Sequence, residues 1–350
     1  MRATGAQRTR AWQAPPMIAF LLAALAVSEG DFVLRNFRFA SGETLPELRL
    51  HYRTLGTPGS PAVLVLHGTT GSGAQFLGQS FAGELFGPGQ LLDPAKYFIV
   101  LPDGIGHGDS SKPSDGLHAR FPHYGYADMV EAQRRLLVEK LGVKHLRLVV
   151  GTSMGCMHSW VWAEAQPKFM DANLALACLP VQIAGRNRVV RKLAMDSIRS
   201  DPAWNGGEYK SPPLAGLRGA LEVLFFMGSA ALPLQAQVPT RDAADKLAEE
   251  WMAKRLAMTD ANDFLYAFDA SRDYDPSADL EKVETAVTAI NSADDEINPP
   301  ELGILEREIR RVKRGEAVVL PIGPKTRGHG THTNAAAWKE HLAGLLERSR

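Results

Sequence analysis

Six short apolar runs, each ending at a glycine, proline or polar turn residue, restrict this chain to a small set of folds. Residues 62–66 (Ala-Val-Leu-Val-Leu) lead into His67-Gly68-Thr69-Thr70-Gly71, residues 97–101 into Pro102-Asp103-Gly104, and residues 146–150 into Gly151. Residues 174–179 lead into Pro180, residues 286–290 into Asn291, and residues 317–321 into Ile322-Gly323. A strand with one face in water alternates apolar with polar residues. A continuous apolar run bounded by turn residues is covered on both faces, as in parallel sheets. Residues 126–141 and 154–165, between such runs, have helical spacing, and Pro167 stops the second. Strand alternating with helix predicts a mostly parallel, doubly wound α/β sheet.

From 185 to 275 the alternation stops. The text turns helical and rich in Met, Leu and Ala, with breaks at Pro202, Gly206-Gly207 and Pro212-Pro213. This reads as a helical lid inserted over the carboxyl ends of the strands, where open α/β sheets bind ligands. The expected organisation is a core of 27–184 with 276–350, a lid of 185–275, and a signal peptide of 1–26. Arg2, Arg8 and Arg10 precede an apolar run from 17 to 27, and no acid appears before Glu29. Those 11 residues are too few for a membrane span of about 20, and Ala24-Leu25-Ala26 is a small-x-small cleavage site. The expectation is therefore a periplasmic or secreted protein without a stable span after processing. It becomes cytoplasmic if the segment is a mis-annotated start.

With 45% hydrophobic and 22% charged residues, the 350-residue chain can bury a sizeable core. Basic and acidic residues number 39 each, so there is no basic excess to favour nucleic acid. Loss of 1–26 removes three arginines and leaves 36 basic against 39 acidic groups. Cys156 and Cys178, both in apolar stretches, read as buried small side chains rather than a disulfide framework, with a single bridge between them left open, and two cysteines do not make a structural zinc site.

The chemistry concentrates at Gly151-Thr152-Ser153-Met154-Gly155, which follows an apolar strand and opens a helix. That context makes G-x-S-x-G a nucleophile elbow: a sharp turn exposes the serine oxygen, and glycines relieve the crowding. A serine hydroxyl needs a base, and the base needs an orienting carboxylate, here in the chain order Ser, acid, His. Asp295, a few residues past the run 286–290 and four before Pro299-Pro300, is the chosen acid, with Asp294 as runner-up. His329, between Gly328 and Gly330, is chosen as base over His332. The spacing of these two histidines could suit a metal, but no adjacent cluster supports one, and neither a metal nor a cofactor is expected. For the oxyanion, the expected N–H donors are Met154 and either Thr69 or Thr70. His107 reads as a turn residue, and His158, Trp160 and Trp162 as structural.

These residues resemble the α/β-hydrolase superfamily and, within it, the homoserine O-acetyltransferase branch, from about Gly30 to the C-terminus. Resemblance rests on Gly42-Glu43-Thr44-Leu45-Pro46, on His51-Tyr52-Arg53-Thr54-Leu55-Gly56-Thr57, on the elbow, and on Phe264-Leu265-Tyr266 with Asp273-Tyr274-Asp275. The lid stretch Asp201-Pro202-Ala203-Trp204-Asn205-Gly206-Gly207-Glu208-Tyr209 is the more specific signature. The resemblance implies Asp295 as acid, Gly328-His329 as the base loop and Thr69 as an oxyanion donor. Two positions depart from it: Cys156 stands where the transferases usually have glycine, and Gly330 where they have aspartate. Two reactions are then in view, hydrolysis of a small ester and acyl transfer from acyl-CoA to an alcohol such as homoserine. An exported protein would not meet acetyl-CoA, so hydrolysis is expected. The expected partners are a small-molecule ester or acyl donor, with a homodimer left open.

Overall fold

The computed structural model describes residues 26–350, so of the expected signal peptide only Ala26 lies among the described residues. One eight-stranded sheet contains β1 (Val27–Arg38), β2 (Thr44–Leu55), β3 (Ala62–Leu66), β4 (Phe98–Pro102), β5 (Leu146–Thr152), β6 (Ala172–Leu176), β7 (Ala286–Ser292) and β8 (Gly315–Leu320). Their spatial order is β1-β2-β4-β3-β5-β6-β7-β8. All pairings from β4 through β8 are parallel, whereas β2 runs antiparallel to both β1 and β4. Every residue of β3, β4, β6 and β7 is buried, which is why these segments carry no polar alternation.

Two strands were not among the six expected. β1 and β2 form an edge hairpin that faces water on one side, so charges such as Glu29, Asp31 and Arg35 interrupt its apolar pattern. β6 also begins earlier and ends three residues sooner than the run 174–179. Ala177 turns to φ +64 there, which sends Cys178 and Leu179 out of the sheet and towards the site.

Among the described residues, ten α-helices flank the sheet: α1 (Ala82–Leu85), α2 (Tyr126–Arg135), α3 (Met154–Ala165), α4 (Gly185–Ser200), α5 (Leu214–Gly228), α6 (Ala231–Gln237), α7 (Arg241–Met258), α8 (Ala261–Asp269), α9 (Ile304–Glu308) and α10 (Lys339–Arg348). α2 continues into a wider π turn over Leu136–Lys140. The side chains of β5 divide between two cores. Leu148 and Val150 pack with Phe76, Phe81 and Trp338 on one face, while Leu146 and Val149 pack with Val130, Leu137 and Trp162 on the other. Each such side chain stabilises the fold by about 1.5–3 kcal/mol. Trp160 and Trp162 are fully buried, and the Trp162 indole donates to Gln133 Oε1 at 2.9 Å.

Helices α4, α5, α7 and α8 share a core of their own, built on Met195, Ile198, Leu217, Leu221, Met252, Phe264 and Phe268. The Asp-Pro-x-Trp signature folds this lid. Asp201 accepts from the N–H groups of Ala203 (2.9 Å) and Gly216 (2.8 Å), Trp204 Nε1 donates to Asn262 Oδ1 (3.0 Å), and the Tyr209 hydroxyl donates to Asp260 Oδ2 (2.6 Å). Asn205, Gly206 and Gly207 pass through positive φ between them. Two hydroxyls fasten the far end of the lid to the core: Tyr266 to the carbonyl of Phe121 (2.7 Å) and Tyr274 to that of Leu179 (3.0 Å). Among the described residues, no single helix is long and apolar enough to cross a membrane.

Cys156 and Cys178, expected as buried small side chains with a single bridge left open, are joined in a disulfide. Cys156 lies in the first turn of α3 and Cys178 two residues beyond β6. The adjacency of β5 and β6 brings their Cα atoms to 5.9 Å, within disulfide reach. A spacing of 22 residues in the chain gave no sign of that proximity. The cross-link fixes the nucleophile helix to the loop that borders the site, and closing a loop of this length stabilises by about 3 kcal/mol.

Candidate active site

Strand β5 ends in the turn that the elbow demands. Ser153 sits at φ +53 and ψ −110, a backbone region costly for any side chain, and α3 starts at the next residue. The small residues make the turn sterically feasible. A Cβ on Gly151 would lie 2.2 Å from the Gly155 carbonyl oxygen, and one on Gly155 would lie 2.2 Å from that of Leu66. Strain is held in place by hydrogen bonds around it. Ser153 N donates to the Leu176 carbonyl (2.8 Å), Gly155 N to that of His67 (2.9 Å), and the Thr152 hydroxyl to that of Leu66 (3.0 Å).

Three neighbouring loops bring the other groups to this serine. His329, beyond β8, places Nε2 2.8 Å from Ser153 Oγ. Its Nδ1 lies 2.9 Å from Oδ2 of Asp295, just beyond β7. Asp295 is almost fully buried and accepts further bonds from Ile297 N (2.8 Å), Asn298 N (3.3 Å) and Asn298 Nδ2 (3.1 Å). Burial pushes its carboxyl up, but the facing His329 and the bonds from His329, Asn298 and Ile297 outweigh burial and hold it below the ordinary value. A carboxylate so bonded obliges His329 to keep its proton on Nδ1, which leaves Nε2 free to accept the serine proton.

The structure separates the alternatives. Asp294 turns its carboxylate to the Ser292 hydroxyl and does not meet His329. His332 packs edge-on against His329 with ring centroids 5.2 Å apart, and it contacts neither Ser153 nor Asp295 through a hydrogen bond. Asn298 was missed by sequence reasoning. It donates both to Asp295 and to the Ala177 carbonyl (3.1 Å), joining the acid loop to the end of β6. Its one sign in the sequence was its position directly before Pro299-Pro300, in the turn where the chain leaves the sheet.

Across the serine, the loop after β3 faces the elbow so closely that a Cβ on Gly68 would be 3.3 Å from Ser153 Cβ. Among the described residues, the N–H groups of Thr69 and Met154 meet no acceptor, and Met154 is the first residue of α3, where helical N–H groups are unpaired. Thr70, at φ +62, is bonded through its hydroxyl to Arg255 of α7 (3.3 Å). His67 supports the loop from behind. Its Nε2 accepts from Gly104 N (2.9 Å), so the proton resides on Nδ1 and is donated to the Gly68 carbonyl (2.8 Å). His107 sits in the turn after β4, its N–H donating to the Gly104 carbonyl (3.0 Å), and is buried against His67 with ring centroids 5.2 Å apart.

Another cluster has ligand-type atoms. His51, Asp103 and Asp109 bring theirs within 4.8 Å of one another, but the Arg53 guanidinium already lies among them, 3.2 Å from Asp103 and 3.4 Å from Asp109. A cation is thus supplied by the chain itself.

The buried His67, His107 and His158 and the half-buried His332 are held neutral by withdrawal from water, His107 and His332 with values pushed down to about 3. In the unfolded chain each takes up a proton near 6.5. Stability is therefore full above that pH and is lost as the pH falls towards the folded values. His107 and His332 each contribute a slope of up to about 1.4 kcal/mol per pH unit in this window, opposed by the raised carboxyls of Glu164 and Asp263, which bind protons in the folded state. Denaturant titrations at constant ionic strength are expected to show stability falling below pH 6.5, and stability that rises from pH 6.5 to pH 4.5 would contradict the neutral state of these histidines.

Fold and site together define an enzyme of the α/β-hydrolase class, of the hydrolase or acyltransferase kind. A family model described as the alpha/beta hydrolase fold matches residues 61–187. The chain belongs to the homoserine O-acetyltransferase family. It is 31% identical over 308 residues to the homoserine O-acetyltransferase of Haloferax prahovense, covering 75% of this chain and 73% of that one. To that of Citrifermentans bemidjiense it is 32% identical over 291 residues, covering 73% and 78%. An acetylester hydrolase from Corynebacterium glutamicum superposes with a TM-score of 0.80 at 22% identity, over 91% of this chain and 96% of that one. A homoserine O-acetyltransferase from Bacillus anthracis gives 0.79 at 22% identity, over 92% and 98%. These two structures share the fold.

Proposed function

We propose that the protein is a serine esterase that hydrolyses a small ester through an acyl-enzyme on Ser153. His329 takes the serine proton as Oγ attacks the acyl carbon, and the N–H groups of Thr69 and Met154 receive the oxyanion. Asp295 stabilises the imidazolium, which then protonates the departing alcohol. Water, deprotonated by the same histidine, breaks the acyl-serine bond and regenerates the hydroxyl. This chemistry uses only groups of the chain and calls for no metal or cofactor.

The observation that favours water over an alcohol acceptor is the disulfide beside the nucleophile. A bridge between Cys156 and Cys178 fits an oxidising compartment, periplasmic or extracellular, in keeping with the N-terminal segment. Acetyl-CoA is not available there. Gly330, where the transferases usually place aspartate after the base, supports the same reading. The second reading, transfer of an acyl group from acyl-CoA to an alcohol, is favoured by the names of the relatives in Haloferax prahovense and Citrifermentans bemidjiense. Incubation with p-nitrophenyl acetate, and separately with acetyl-CoA plus homoserine, distinguishes the two. Ester hydrolysis with no homoserine-dependent CoA release is expected; CoA release that depends on homoserine would overturn hydrolysis as the function.

A further inference from the structure

Ser153 and His329 open on one side into a cavity of about 370 Å³, at the small end for a ligand site. Its walls beside the serine are apolar, formed by Met157, Leu179, Ile183 and Ile297. Arg191, on the second turn of α4, lines the same cavity, yet the residue is 7% exposed. Its Nε donates to Asn187 Oδ1 (3.0 Å) and its Nη1 to the Ser271 hydroxyl (3.2 Å), both neutral acceptors. The guanidinium also lies 5.4 Å from the centre of the Phe268 ring. Among the described residues no carboxylate pairs with it. The other arginine lining the cavity, Arg186, is paired with Glu296 (2.7 Å), and Glu301, the acid of the lining, is exposed.

A charge withdrawn from water without a counter-ion costs several kcal/mol, so buried arginines ordinarily face an acid. Burial indeed lowers the affinity of this guanidinium for its proton. A ring face, two neutral acceptor oxygens and the nearby Tyr126 hydroxyl compensate only in part. The missing partner is an anion that enters the cavity.

We propose that Arg191 is the carboxylate anchor of this cavity, so that the preferred substrate is a small ester bearing a carboxylate a few carbon atoms from the carbonyl that Ser153 attacks. The proposal rests on the esterase reading for the attack on an ester, but the anchor itself acts in binding. A carboxylate on the acyl part and one on the alcohol part present the same chemistry to Arg191. A charge-assisted pair in such a site is expected to favour the anion about 10- to 100-fold over a neutral isostere.

The test is protection of Ser153 from a fluorophosphonate probe by 5-oxohexanoate, a ketone that has no acyl or alcohol side, against its neutral amide 5-oxohexanamide. In the wild type the acid is expected to protect at a concentration at least about tenfold lower than the amide. Arg191→Met is expected to abolish that difference, and Arg191→Lys, which keeps the charge but loses the fork, to reduce it. Equal protection in the wild type, or an unchanged ratio in Arg191→Met, would overturn the proposal; if that variant does not fold, an unchanged ratio in Arg191→Lys does so. kcat/KM for monomethyl glutarate and for acetoxyacetate, each against its neutral amide, then locates the carboxylate on the acyl or the alcohol part. An anionic preference lost in Arg191→Met on either arm supports the anchor, and none on both arms overturns it. An enzyme that is labelled yet turns over no ester would instead refute the esterase reading, while the ketone comparison still decides the anchor.

Discussion

Asp295→Asn is expected to lower kcat for a chromogenic acetate ester about 10⁴-fold. The loss follows from proton placement rather than from the removed charge alone. Asp295 Oδ2 accepts from His329 Nδ1 and from Asn298 Nδ2, and Oδ1 accepts from Ile297 N. An amide in that site offers one oxygen to these three donors and turns its own NH₂ towards one of them. When the NH₂ faces His329, the ring moves its proton to Nε2 and can no longer accept from Ser153. Asp294→Asn is expected to leave turnover little changed, because Asp294 is occupied with the Ser292 hydroxyl. Steady-state kinetics on both variants, with circular dichroism to check folding, measures the contrast. A larger loss in Asp294→Asn would reassign the acid.

What could be read from the sequence followed from local rules. The central strands announced themselves because a strand covered on both faces admits no polar alternation, and Ser153 because an elbow needs strand, glycine, serine and helix in immediate succession. Asp295 and His329 could be located because they follow successive late strands of a parallel sheet, and so emerge at one edge. What escaped was set by contacts across the chain. The β1–β2 hairpin lies at a sheet edge and mixes charges with apolar residues. The bond between Cys156 and Cys178 exists because β5 lies beside β6, which no spacing in the chain reports. Asn298 matters through its reach to Ala177, and Arg191 through having no carboxylate paired with it among the described residues, in a cavity formed by separate segments. The lid signature shows the converse: its residues are specific, yet they serve the folding of the lid.

Removing the nucleophile has the largest expected effect. Ser153→Ala takes away the atom that forms the acyl-enzyme, and neither His329 nor the oxyanion loop can act in its place. Loss of a serine nucleophile from such a constellation lowers kcat about 10⁶-fold and leaves only the weak rate from binding and oxyanion donors. Folding should be preserved, since among the described residues Ser153 Oγ bonds only to His329, and the backbone conformation is held by Gly151, Gly155 and the bonds from residues 152, 153 and 155. The most direct test is the intact mass of the protein after treatment with a fluorophosphonate. Wild type is expected to gain a single adduct, on the peptide that contains Ser153, and Ser153→Ala none. A wild type that gains no adduct, or a Ser153→Ala variant labelled to the same extent, would contradict Ser153 as the nucleophile.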